Sequence, residues 1–353
     1  MKLRKMIVFV LVVSSIIFMG YASGYCAIFD VDKGETGFEK FTDGIDAALY
    51  KTTAPTKEYL QKRNADVYFL AGLFQGYDNN VDLDPRRKHD GFWENSLSTE
   101  FIFHQTDTLR FRAGNYTTDR LYYNVNTANL LDVYNNFTVE KDLFDKKAIL
   151  GGGYVFDLLY MPCNDMQSYY GHQAETFIKH FLGDFCYQKA TYSFLLKYFK
   201  KHKTFDAFGT YGANHRQDWR HTISYEAGLT LKNIGILKTE FRVYRNTSNY
   251  SFTNLYDYWS YLRIKPSLLL KVTNKLSING SYYFERKRYD DRLCTEDLTH
   301  VYDATNGFDA TLMYNLTKST MFSFSWSYIE NLSNEPRQKY SGSTFMAGIY
   351  YSF

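Results

Sequence analysis

From about residue 60 onward, apolar and polar positions alternate along the chain with a period of two. Leu97, Thr99, Phe101 and Phe103 share one face of an extended segment, and Leu109, Phe111 and Ala113 share one face of the next. The same reading gives Ala190–Tyr192–Phe194–Leu196–Tyr198, Ile223–Tyr225–Ala227–Leu229–Leu231 and Leu276–Ile278–Gly280–Tyr282–Phe284. Phe308–Ala310–Leu312–Tyr314–Leu316 and Phe322–Phe324–Trp326–Tyr328 follow, and the last segment carries Phe345, Ala347, Ile349, Tyr351 and Phe353. Side chains of a strand point alternately to opposite faces, so each segment predicts a strand with one apolar and one polar side.

The connections alternate as regularly as the strands. Tight turns are predicted near Gln105–Thr108, Phe144–Lys147, Gly183–Phe185, Lys232–Gly235, Thr273–Lys275 and Thr317–Thr320. Long polar connections fall near Asp78–Gly91, Thr118–Leu130, Met161–Ser168, Lys200–Trp219, Tyr250–Tyr256, Tyr289–Thr305 and Glu335–Lys339. Short turns at one end and long loops at the other are the arrangement of a transmembrane barrel. The expectation is an all-β, antiparallel up-and-down barrel of about 14 strands, with 12–16 also compatible, over residues 61–353. Alternation is weakest near Val67–Tyr77 and Tyr170–Leu182, the first and sixth strands.

Composition changes this picture only by sharpening it. Aromatics make up 19% of the 353 residues, with 33 Tyr and 29 Phe against 4 Trp, yet the chain is polar on average. A membrane barrel reconciles the two, because only alternate residues meet lipid. Five prolines leave room for many uninterrupted strands. A net charge of +3 with no basic tail gives no footprint for nucleic acid.

Residues 1–24 read as a signal peptide: Lys2, Arg4 and Lys5, an apolar run from Met6 to Met19, then small residues at Ala22-Ser23-Gly24. An uncleaved helical anchor is the alternative. A lipid attached at Cys26 would require a smaller residue than Tyr25 before it. Residues 25–60 form a periplasmic segment, either disordered or helical, since Phe38, Phe41, Ile45, Ala48 and Leu49 recur at helical spacing. Cys163 and Cys294 fall in predicted outer loops, where export would permit a bridge and free thiols are the alternative.

If the apolar face meets lipid, the opposite face lines a lumen. It carries Glu100, His104, Arg110, Arg112, Glu226, Lys238, Glu240, Arg242, Arg263, Lys265 and Glu285. Because paired residues share a face, pairing Lys271 with Ser277 sets Arg263 opposite Glu285. Pairing Thr230 with Lys238 sets Glu226 opposite Arg242, and a similar register sets Glu100 opposite Arg112. Such pairs can lock the strand ladder or form a charged constriction that selects solutes. The oxygen-rich run Asp78, Asn80, Asp82 and Asp84 has the spacing that begins a calcium loop, but Leu83 replaces the expected glycine and His89 the distal glutamate. It offers at most a loosely bound divalent cation, and no other cofactor is expected. No Gly-x-Ser-x-Gly and no HExxH occurs, so the chain is expected not to be an enzyme.

Two resemblances add to this reading. The last strand, with Tyr351 and a free Phe353, resembles the terminal signal of Gram-negative outer-membrane proteins, which implies the outer membrane as destination and its assembly machinery and lipid as partners. Gly76-Tyr77-Asp78-Asn79-Asn80-Val81, Asp90-Gly91-Phe92 and Tyr328-Ile329-Glu330-Asn331-Leu332-Ser333-Asn334 resemble the putative β-barrel porin-2 group, found with exopolysaccharide export systems. Asn331-x-Ser333-Asn334 also resembles barrels that help lipoproteins reach the surface, but those carry helical repeats for which the leading segment is too short. The implied function is a passive channel for small solutes, or the outer port of a polysaccharide export route. A structural or surface-interaction barrel with its lumen closed by charge pairs and loops is the alternative, and a barrel lipase the third.

Overall fold

Fourteen strands close into one antiparallel barrel in which every strand pairs with its neighbours in sequence and β1 pairs with β14. The computed structural model describes residues 65–83, 85–183, 185–205, 210–231, 234–250 and 256–352. The expected signal peptide, the segment 25–60, Asp84 and Phe353 lie outside these. In chain order the strands are β1 Ala65–Asp78, β2 Asp90–His104, β3 Leu109–Tyr122, β4 Leu130–Leu143 and β5 Ala148–Tyr160. They continue with β6 Tyr169–Leu182, β7 Cys186–Phe205, β8 Tyr211–Leu231, β9 Gly235–Ser248 and β10 Tyr258–Lys271. Last come β11 Leu276–Leu293, β12 His300–Asn315, β13 Thr320–Ser333 and β14 Tyr340–Ser352.

Closure leaves no strand edge unpaired, which is the condition for crossing hydrocarbon without orphaned amides. No helix among the described residues is long and apolar enough to cross a membrane; the strands do the crossing. The outside is apolar: Leu73, Ile223, Phe324 and Ile349 project their side chains into the surroundings. Inside, Ser260, Ser323, Glu285 and Asp303 are buried. Inverted polarity of this kind defines a transmembrane β-barrel, and the expected face is the outward one in each strand read above.

The tight turns have a shared chemistry. In three of them a threonine hydroxyl accepts two backbone N–H groups: Thr106 from Thr108 and Leu109, Thr273 from Lys275 and Leu276, and Thr317 from Ser319 and Thr320. This side-chain turn substitutes for backbone pairing where the chain reverses. The β4–β5 turn is built differently, with Phe144, Asp145 and Lys146 all at positive φ.

The long connections are shorter than expected, because strands run on beyond the wall. β7 has 20 residues and β8 has 21, where about 9–11 suffice to span a bilayer. Pairing of Lys203 with His215 and Phe205 with Tyr211 carries this hairpin outward through the stretch predicted as the loop Lys200–Trp219. β11 and β12 similarly consume much of the predicted loop Tyr289–Thr305. The outer rim holds two small apolar clusters, one of Tyr244, Tyr258, Tyr289, Cys294 and Val301, the other of Val81, Phe92, Tyr122 and Ala128. Cys163, Cys186 and Cys294 are free thiols, so Cys163 and Cys294 form no bridge.

Candidate functional site: the lumen

The inner wall encloses a cavity of about 1100 Å³. Its lining runs from Arg86 and Arg337 at the outer loops down to Met313 and Met321, close to the inner turn between β12 and β13. Between these ends, tyrosines and charged groups share the surface, and most of the charges are tied to the wall.

Toward the short-turn end of β2–β4, five side chains form one network. Arg112 reaches Glu100 at 3.3 Å and Glu140 at 3.3 Å; Arg110 reaches the same Glu140 at 2.5 Å and Asp142 at 3.0 Å. The expected register is corrected here: Glu100 faces Gly114 and Arg112 faces Ile102, so the Glu100–Arg112 contact is diagonal. The Thr106 hydroxyl turn centres the hairpin so that His104 meets Arg110, which shifts the pairing by two residues without changing the face.

A second correction falls on β8–β9. Glu226 faces Glu240, and Arg242 faces Ser224, because the hairpin closes with Leu231 opposite Gly235. Glu226 accepts from the Tyr187 hydroxyl at 2.8 Å and lies 4.0 Å from Lys238, while Arg242 binds Glu240 on its own strand at 2.9 Å. The β10–β11 register is as expected, with Lys271 opposite Ser277 and Arg263 opposite Glu285. Glu285 also accepts from Ser260 Oγ at 2.9 Å and sits 3.4 Å from Lys287. Lys265 faces Glu240 across β9–β10.

Between Ser260 and Arg263 the ladder slips. This bulge flips the parity, so that Tyr258 and Ser260 point inward on one side of it and Arg263 and Lys265 on the other. Without the bulge, Ser260 would leave Glu285 and the inward row of β10 would break.

Sequence reading missed the outer half of this wall. There Glu94 holds Arg120 at 2.6 Å with the guanidinium over the Phe92 ring, and Arg216 holds Asp218 at 2.6 Å over Phe199 and Tyr256. Arg220 donates to the Tyr258 hydroxyl at 2.7 Å, and the Lys197 ammonium lies over Tyr169, whose hydroxyl donates to Asp157. The parity rule applied to β3–β4 would have found Glu140, since Arg110 faces it directly. The Arg216 and Lys197 groups had no such signal, because their segments read as loop or as an ordinary strand face.

The oxygen-rich run of the first outer loop is used internally. Asp78 accepts from the Asn80 amide at 2.9 Å and from the Tyr122 hydroxyl, Asn80 donates to the Ser341 carbonyl, and Asp82 pairs with Lys88 at 2.7 Å. Among the described residues no group of three or more His, Cys, Asp or Glu is placed to hold a metal ion.

No family model matches the chain, and no curated protein does. The porin-2 resemblance therefore rests on its motifs alone. Solved structures with a similar fold include an anion-selective porin from Comamonas acidovorans, at 9% identity and a TM-score of 0.46 over 82% of this chain and 99% of that one. Outer-membrane-expressed OmpT of Vibrio cholerae matches at 10% identity and 0.45 over 82% and 98%, and the P. putida toluene transporter TodX at 9% and 0.39 over 82% and 89%. The fold class stands on the closure and strand order above, not on these likenesses.

Proposed function

We propose that the protein is an outer-membrane channel that admits hydrophilic solutes along a polar, tyrosine-rich lumen. The observation that carries this reading is the cavity that extends from the outer loops to the inner ends of β12 and β13, lined by charges held in place by their neighbours. Fixed charges of both signs shape the field through which a solute passes and cost nothing to reorganise as it does so. The porin-2 resemblance extends the reading to polysaccharide as a cargo class, with the barrel as an outer port. Liposomes containing the refolded protein should swell in iso-osmotic small sugars at rates that fall with sugar size. Swelling indistinguishable from protein-free liposomes contradicts a channel.

One observation favours the closed alternative. The network of Glu100, Arg110, Arg112, Glu140 and Asp142 crowds the periplasmic end on the β2–β4 side, away from Met313 and Met321. A barrel occluded there would be a surface or scaffold protein, and the same liposomes would not swell.

A further inference from the structure

We propose that the outward face of β2–β4 is a twofold interface with a second copy of this chain. The inference rests on the barrel lying in a membrane and goes beyond its role as a channel. On this face a run of polar side chains crosses the middle of the wall. Asn115 and Asn135 face each other near the midpoints of β3 and β4, and the Asn115 amide donates to Asn135 Oδ1 at 2.9 Å. Thr117 Oγ1 donates to Asn115 Oδ1, and closer to the outer rim Asn95 donates to Asp119 at 3.0 Å. Their inward neighbours Ser98, Tyr116 and Thr118 are buried, which fixes these odd-numbered residues as the outward set.

Elsewhere the outward residues near mid-strand include Ile264, Phe284, Phe308, Phe324 and Ala347. Other outward polar groups near mid-strand, His172, His221 and Asn306, each bond a tyrosine of their own wall, Tyr154, Tyr192 and Tyr282. The asparagine network is not closed in that way. The Asn135 side-chain nitrogen donates to nothing among the described residues, and Asp119 has one carboxylate oxygen engaged. Lipid tails offer neither donor nor acceptor, so such groups are costly in hydrocarbon unless a protein surface meets them.

The geometry of membranes then selects the occupant. Two copies in one bilayer share their orientation, so an axis along the membrane normal brings each residue against residues of equal depth. A primary amide both donates and accepts, which makes an asparagine face its own complement under a twofold axis. On β2–β4 two amides face each other at that depth, so the fitting partner for this face is itself. Ala113, two residues from Asn115 on the same face and exposed, leaves room for close approach.

The test uses the full chain in lipid vesicles, with wild type, Asn115→Leu/Asn135→Leu, and single cysteines at Asn115→Cys, Asn135→Cys and Phe308→Cys in a background with Cys26, Cys163, Cys186 and Cys294 all replaced by Ser. Wild type should be dimeric by mass after gentle extraction, and the double leucine variant should associate at least tenfold more weakly while keeping its heat-modifiable migration. Oxidation should link copies through position 115 or 135 and not through 308. If the leucine variant fails to fold, the cysteine pattern still decides. A monomeric wild type, a ring of three or more copies, equal linkage at 308, or linkage of 135 to a different protein would each overturn the proposal.

Discussion

Arg242 and Arg263 stand directly opposite each other across β9 and β10, two like charges on the inward face. Each has a carboxylate beside it: Glu240 on the strand of Arg242, and Glu285 opposite Arg263. Two arginines therefore adjoin across the ladder, each with its own carboxylate, instead of the isolated Arg–carboxylate rungs that sequence parity suggested.

Neutralising both arginines, as Arg242→Gln/Arg263→Gln, removes two positive charges from beside Glu240 and Glu285. In a narrow pore removal of positive charge favours cations. Reversal potentials under a salt gradient should move toward the cation equilibrium potential relative to wild type. An unchanged reversal potential in a conducting variant would place these residues away from the ion path.

Glu285 is the stability anchor of the same wall. It is 3% exposed and serves Ser260 and Lys287, with Arg263 opposite. Glu285→Ala leaves buried positive charge uncompensated and should cost about 3–5 kcal/mol in reversible urea unfolding. The Lys88–Asp82 pair, at 49% and 25% side-chain exposure, provides the contrast: Asp82→Ala should cost no more than about 1 kcal/mol.

Glu335 ties two outer loops together. It accepts from the Thr295 amide at 2.8 Å and hydroxyl at 3.0 Å, and next to it Cys294 Sγ donates to the Asn334 carbonyl. Burial alone would raise its pKa, but the hydrogen bonds from Thr295 and Arg337 and the charge of Arg292 outweigh it and hold the carboxyl below the usual glutamate range. A depressed folded-state pKa means the latch contributes fully above the ordinary glutamate value and is lost as pH falls through the lower, folded one. Thiol labelling of buried Cys294 should therefore be slow at neutral pH. Charged hydrogen bonds are worth about 1.5–3 kcal/mol, so Glu335→Gln should speed labelling at neutral pH by roughly 10- to 100-fold. Labelling as slow as wild type would show that the loops are held by other contacts.

The orientation is tested by epitope tags. Insertions near Lys203 and Asp297 should be reached by antibody on intact cells, and insertions near Asp107 and Asn274 only after the outer membrane is opened. Staining of the second pair on sealed cells would reverse the barrel.

What the sequence made legible was the face of each residue, and what it hid was position along the strand. Glu226 and Arg242 both point inward as their parity requires, yet they miss each other by two residues because the hairpin closes at Leu231 and Gly235. Parity survives such a slip and register does not. The bulge at Ser260–Arg263 was invisible, since Tyr258-Trp259-Ser260-Tyr261-Leu262 shows no alternation to interrupt. The outer reach of β7 and β8 was likewise hidden, because Lys200, Lys201 and Lys203 read as loop residues. Above the bilayer a strand needs no apolar face, so hydropathy cannot mark it.

The central claim is that the lumen conducts, and single-channel recording of the refolded protein in a planar bilayer tests it most directly. An open polar lumen predicts discrete, reproducible current steps that grow with salt concentration and change selectivity in the Arg242→Gln/Arg263→Gln variant. Correctly inserted, heat-modifiable protein that passes no current at any voltage the bilayer tolerates would contradict it.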